Sequence, residues 1–134
     1  MKRTNIKPCF SQYISDFCTM VSNAKSDYEW NKSEVNNLDK LTQDYLHLLE
    51  LGNLGYKGRA RIATKLEKCR QLRRMSKDTV EILEPFMQFL ESDRGKNMMN
   101  LIKDALGKTR KIEERMDNRI YRYKVLRKDD EIDN

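Results

Sequence analysis

Apolar side chains recur at alternating spacings of four and three through the first third of the chain. The register runs Phe10, Ile14, Phe17, Val21, Ala24, Tyr28, Asn31, Val35, Leu38, Thr42, Tyr45 and Leu49. Side chains so placed fall on one stripe of a helix, and a sustained period of about 3.5 residues favours supercoiling against a neighbour. No Pro or Gly interrupts residues 9–51, so the pattern predicts a single helix there, roughly 65 Å long at about 1.5 Å per residue. A break near Ser22 and Asn23 would suit residues that bond their own backbone, but the unbroken register favours one rod.

Gly52, Gly55 and Gly58 then punctuate the chain. Gly52 suits the position just past a helix end, and the run Gly52, Asn53, Leu54, Gly55 reads as a helix–helix turn. A second helix is expected over 56–91, with the stripe Ile62, Leu66, Cys69, Leu72, Ser76, Val80, Leu83, Met87 and Leu90. Folding one helix back on the other pairs residues whose numbers sum to about 107. Leu38 then meets Cys69, Val35 meets Leu72, Ala24 meets Leu83 and Phe17 meets Leu90, while Asn31 and Ser76 coincide in one polar layer that can fix register. Pro85 lacks an N–H and crowds the carbonyl of Glu81, which predicts a kink. The run Ser92, Asp93, Arg94, Gly95 supplies capping residues and a break.

A third helix over 96–120 would present Met98, Leu101, Ile102, Ala105, Ile112, Met116 and Ile120 on one face, and the tail RKDDEIDN (127–134) should be frayed. The expected architecture is therefore all-α: one domain spanning 1–134, a long coiled-coil-like antiparallel hairpin with a shorter third helix. Phe10, Tyr13, Phe17 and Met20 make a broad apolar surface near one end. Either the third helix covers it or a second copy does, as a homodimeric bundle sharing a core.

Composition narrows the classes. The chain has 134 residues, 36% charged and 38% hydrophobic, with only 5 Gly and 2 Pro, which excludes collagen-like chains and argues against turn-rich β folds and Gly-loop nucleotide binders. Nothing approaches a membrane span. The start, MKRTNIKPCF, has no apolar core after its positive charge, so no secretory signal is expected. Cys9, Cys18 and Cys69 have neither disulfide-framework nor zinc-ligand spacing, which points to a reducing, intracellular compartment. His47 is the single histidine and suits a surface role. Glu113 and Glu114 lack the Glu-x-x-His partners of bundle metal sites, and GYKGRAR lacks the rest of a phosphate loop. The expectation is no enzyme, no metal, no catalytic residues and no cofactor.

The charge is +6 and unevenly spread. Residues 57–77 carry nine bases against Glu67 alone, and residues 108–128 carry nine against Glu113, Glu114 and Asp117, while 78–93 is acidic without a base. Part of the first cluster has an internal use, because Asp27, Glu29, Glu34, Asp39, Asp44 and Glu50 lie on the opposed helix and could pair across the seam. The remainder would attract an anion: nucleic acid, an acidic protein surface or a phosphorylated ligand. Arg forks suit phosphate and carboxylate acceptors, which singles out Arg59, Arg61, Arg70, Arg73 and Arg74, with Arg115, Arg119 and Arg122 in support. The segment RIYRYKVLRK interleaves bases with Tyr121 and Tyr123, permitting stacking beside phosphate contact.

The stretches YEWNKSEVNNLDKLTQDYLHLLELGNLGYKGRA and ILEPFMQFLESDRGKNMMNLIKDALGKTRKIEERMDNRIY resemble small helical accessory proteins of Gram-positive bacteriophages and prophages. What the resemblance implies is a small phage product made inside the bacterial cytoplasm. Its expected partner is a host protein or nucleoprotein of the antiviral defence machinery, or nucleic acid directly, with no membrane; the homodimer stays open on the apolar surface described above.

Overall fold

The computed structural model describes residues 9–126. Three helices make up the fold and no strand occurs among the described residues: α1 (Phe10–Leu51), α2 (Tyr56–Glu91) and α3 (Asp93–Asp117). The expected tail at 127–134 lies outside the described residues. No described helix is long and apolar enough to cross a membrane.

The hairpin has the register its two stripes dictate. Cys69 is buried with its thiol 3.4 Å from the Leu38 carbonyl oxygen and 3.5 Å from the Thr42 hydroxyl, which itself donates to that carbonyl at 2.8 Å. A small sulfur layer thus closes the turn-proximal half of the seam. Val21, Tyr28, Met87 and Leu90 form the buried core of the other half, with Phe17, Ala24, Val80, Leu83, Phe86 and Met99 packed on it. Asn31 and the buried Ser76 line one groove, which puts them at one level. The Asn31 amide, however, donates to Asp27 O on its own helix at 2.7 Å, so the layer is level but not bonded through that amide.

The turns depart from expectation in instructive ways. Gly52 sits in extended backbone (φ −75°, ψ 136°), not the left-handed conformation typical just past a helix end, and its N–H closes α1 on Leu48 O at 2.9 Å. The expected four-residue break after α2 contracts to Ser92 alone. Ser92 ends α2 and caps α3, its hydroxyl accepting from Gly95 N at 3.1 Å. So tight a reversal brings backbones together: a Cβ at Gly95 would lie 1.9 Å from Phe89 O and 2.9 Å from Leu90 Cα, so only glycine fits. α3 accordingly starts three residues earlier than the sequence suggests, at Asp93, and ends at Asp117. Ile120, Arg119 and Arg122 therefore fall beyond it. α2 continues through Pro85 to Glu91.

α3 packs within its own chain. Lys96, Met99 and Lys103 share a groove with Cys18, Val21, Lys25 and Leu90, Ile102 meets Tyr13, Ile14 and Phe17, and Arg110 Nη2 reaches Ser15 Oγ at 3.4 Å. Numbers rise along α3 as they fall along α1, so the two run in opposite directions. At the far end the Glu113 carboxylate accepts from Ser11 N at 2.9 Å and Ser11 Oγ at 2.7 Å. α1 needs this acceptor. Its N-cap residue is Cys9, without a side-chain cap bond, and its first turn holds no acid, so its orphan N–H groups and positive dipole end are served by a carboxylate from another helix.

Candidate anion-binding surface

Where the arginines of α2 point follows from helical phase, about 100° per residue. Arg59, Arg70, Arg73 and Arg74 fall within an arc of about 100° that flanks the buried Cys69 and Leu83 stripe, Arg73 nearest it and Arg74 farthest. Arg61 lies about 160° from Arg59, on a different side of the helix. The structure therefore divides the sequence-predicted cluster into a group of four and a separate Arg61.

Internal pairing takes up little of this charge. Of the six opposed acids on α1, Asp39 alone makes an ion pair with an α2 base among the described residues. It holds Arg73 through Nε and reaches Arg70 Nη1 at the outer limit of 4.0 Å. Arg73 is consequently drawn in, its side chain 19% exposed against 50% for Arg70. Arg59, Arg61 and Arg74 are exposed and have no ion-pair partner among the described residues. The internal use open to six acids across the seam thus reduces to one of them, Asp39. Asp27, Glu29, Glu34, Asp44 and Glu50 sit at α1 phases that leave the α2 bases beyond 4 Å.

The second basic group lies elsewhere. Arg115 is on the last turn of α3, where a cation complements the helix C-terminus. Arg119 and Arg122 are on the irregular segment after Asn118, where Tyr121 and Tyr123 pack edge to face with centroids 6.1 Å apart. Because Glu113 docks on Ser11, this group sits at the α1 N-terminal end, whereas Arg59 sits beside the Gly55 turn. The α2 arginines run from that turn to about the middle of the rod, where Arg73 meets Asp39, and stop about 30 Å short of the α1 N-terminal end at about 1.5 Å per residue, so the two groups do not form one site.

Further side-chain contacts centre on Tyr28. Tyr28 donates its hydroxyl to Glu84 Oε2 at 2.5 Å, tying α1 to α2. That hydrogen bond, then desolvation and the Glu84 charge, push the Tyr28 hydroxyl from 10.0 up to about 12. Lys32 lies over the Tyr28 ring at 5.5 Å. Among the described residues no group of three or more His, Cys, Asp or Glu converges to hold a metal ion. The sequence pattern missed the Ser11–Glu113 clasp and the Tyr28–Glu84 bond. The one available signal was the uncapped start of α1. No protein-family model, curated protein or solved structure matches the chain.

Proposed function

We propose that this protein is a non-enzymatic binding protein that docks the outer arginine face of α2 on an anionic surface of a macromolecular partner. The observation that carries the reading is the set of Arg59, Arg70 and Arg74: three forks on one arc of a rigid helix, with Asp39 reaching only Arg70 at 4.0 Å and Glu67, engaged by Gln71, beside them. Guanidinium forks held on a rod lose little freedom on engaging carboxylate or phosphate, and a face with an excess of positive charge accelerates encounter. The resemblance to phage accessory proteins makes an inhibitor of bacterial antiviral defence, acting in the host cytoplasm, the biological form of the proposal. The acceptor is then an acidic protein surface or a phosphorylated ligand of that machinery.

A second reading, direct DNA or RNA binding, draws on the other end of the molecule. There exposed Tyr121 and Tyr123 flank Arg122, the combination that serves base stacking beside phosphate contact. One experiment separates the two. Tagged wild-type protein and an Arg59→Ala, Arg70→Ala, Arg74→Ala triple variant are exposed to infected-cell lysate and the captured species weighed by native mass spectrometry. The first reading expects a defined protein retained by wild type and lost from the triple variant. Retention of oligonucleotides by both, lost on Arg122→Ala, favours the second. Equal capture by wild type and both variants contradicts each.

A further inference from the structure

α2 carries two stripes, and the hairpin uses one of them. The inward stripe runs through Cys69, Ser76, Leu83, Met87 and Leu90. The other also alternates by four and three: it begins Arg61, Lys65, Lys68 at the turn end and continues Leu72, Met75, Thr79, Ile82, Phe86, Phe89. Met75 is 67% and Ile82 76% exposed, and Leu72, expected in the core against Val35, is 44% exposed. α1 has a matching outer line. It passes through Asp16, Met20, Asp27, Trp30 and Glu34 and ends at Leu41, Asp44 and Leu48, with Trp30 63% exposed. Both lines lie on one face of the hairpin: Trp30 and Glu34 share a groove with Leu72, Met75 and Thr79, and Met20 and Asp27 share the next with Leu83. α3 is on the other face, over Cys18, Val21, Ser22 and Lys25.

We infer that this face is the interface of a homodimer, in which α1 of each copy lies on α2 of the other around a two-fold axis parallel to the rods. Charge selects both the occupant and the orientation. Every charged member of the α1 line is an acid, and every charged member of the α2 line is a base. Stacking α1 on α1 sets acid against acid and base against base. Stacking α1 on α2 at equal height avoids both and brings the bases of the α2 line to the turn end of the α1 line, where Asp44 is the facing acid, and a parallel two-fold preserves height, so contacts across the interface again sum to about 107. Arg61 and Lys65 then meet the partner's Asp44, Met75 meets the partner's Trp30, and Phe86 meets the partner's Met20. All four neighbouring helix pairs become antiparallel, as in a four-helix bundle. The face spans about 45 Å by about 18 Å, hence about 800 Å² per copy, the size stable dimers bury. This inference is independent of the arginine face, which stays outside the bundle and is presented twice.

The test is solution mass by light scattering across a concentration series, together with Trp30 emission. Wild type should weigh twice 16.0 kDa, with blue-shifted emission. Met75→Glu with Ile82→Glu touches only exposed positions, so helical circular dichroism is retained while the mass falls to one chain, dissociation strengthening at least about 100-fold. Asp44→Arg should weaken the dimer, and adding Arg61→Asp and Lys65→Asp should restore it. A wild-type monomer at every concentration, a dimer indifferent to Met75→Glu/Ile82→Glu, species larger than two chains, or failure of the compensating charges overturns the proposal.

Discussion

Gly95 shows how one residue sets the placement of a whole helix. It lies three positions beyond Ser92, where α2 gives way to α3, and backbone atoms of Phe89 and Leu90 occupy the space a Cβ would need. Gly95→Ala must push the two helix ends apart. It should cost about 2–3 kcal/mol in urea-midpoint measurements, whereas Gly107→Ala, with open space at its Cβ, should stabilise by up to about 1 kcal/mol. Tyr28 makes a pH prediction. Its hydroxyl titrates near 12 in the folded chain against 10.0 unfolded, so above pH 10.0 the unfolded state releases a proton that the folded state keeps. Its contribution is therefore complete below the unfolded value and is lost as pH climbs toward 12. The stability difference between wild type and Tyr28→Phe should be flat up to about pH 10 and shrink above it. A difference that grows with alkalinity would show that the Glu84 bond does not hold the proton. Neither feature is legible in a heptad reading, because each depends on how close two elements come, which a one-helix period does not encode.

For the elements, the hairpin was readable because its two stripes are long and independently agree. A register that brings Leu38 to Cys69 and Ala24 to Leu83 is satisfied at several levels, and a one-residue slip would rotate each rod by about 100° and expose the seam. α3 was harder to read. Its apolar positions are compatible with either face of the hairpin, and its ends depend on a one-residue reversal and on a clasp made by Glu113, a residue whose sequence context suggested only an incomplete metal pair. That clasp supplies α1 with the acceptor its first turn lacks. Glu113→Ala should cost about 1–2 kcal/mol and should speed amide exchange at the start of α1 and along α3 while leaving the sulfur layer around Cys69 protected. Equal acceleration throughout would place the clasp's effect in global stability.

Across the whole molecule, burial is shallow. Six apolar side chains form the buried core, and none of the described side chains is completely sealed, so a rod two helices thick leaves much of its apolar surface at the periphery. Composition and charge runs located the bases correctly but could not say which were already paired. Pairing needs phase as well as proximity, and among six candidate acids only Asp39 has the phase to reach Arg73 and Arg70. The two basic groups likewise add up as one quantity of charge yet stand apart, because α3 carries the second to the α1 N-terminal end while the first runs from the turn only to the level of Asp39. The availability of the α2 arginines is the claim on which the functional reading rests, and arginine-selective dicarbonyl labelling with mass-spectrometric readout addresses it directly on the intact protein. Arg59, Arg70 and Arg74 should react at rates close to those of an unfolded control, Arg73 should lag, and Asp39→Asn should release Arg73 with little effect on Arg59 or Arg74. Uniform protection of all four, unmoved by Asp39→Asn, would contradict the account.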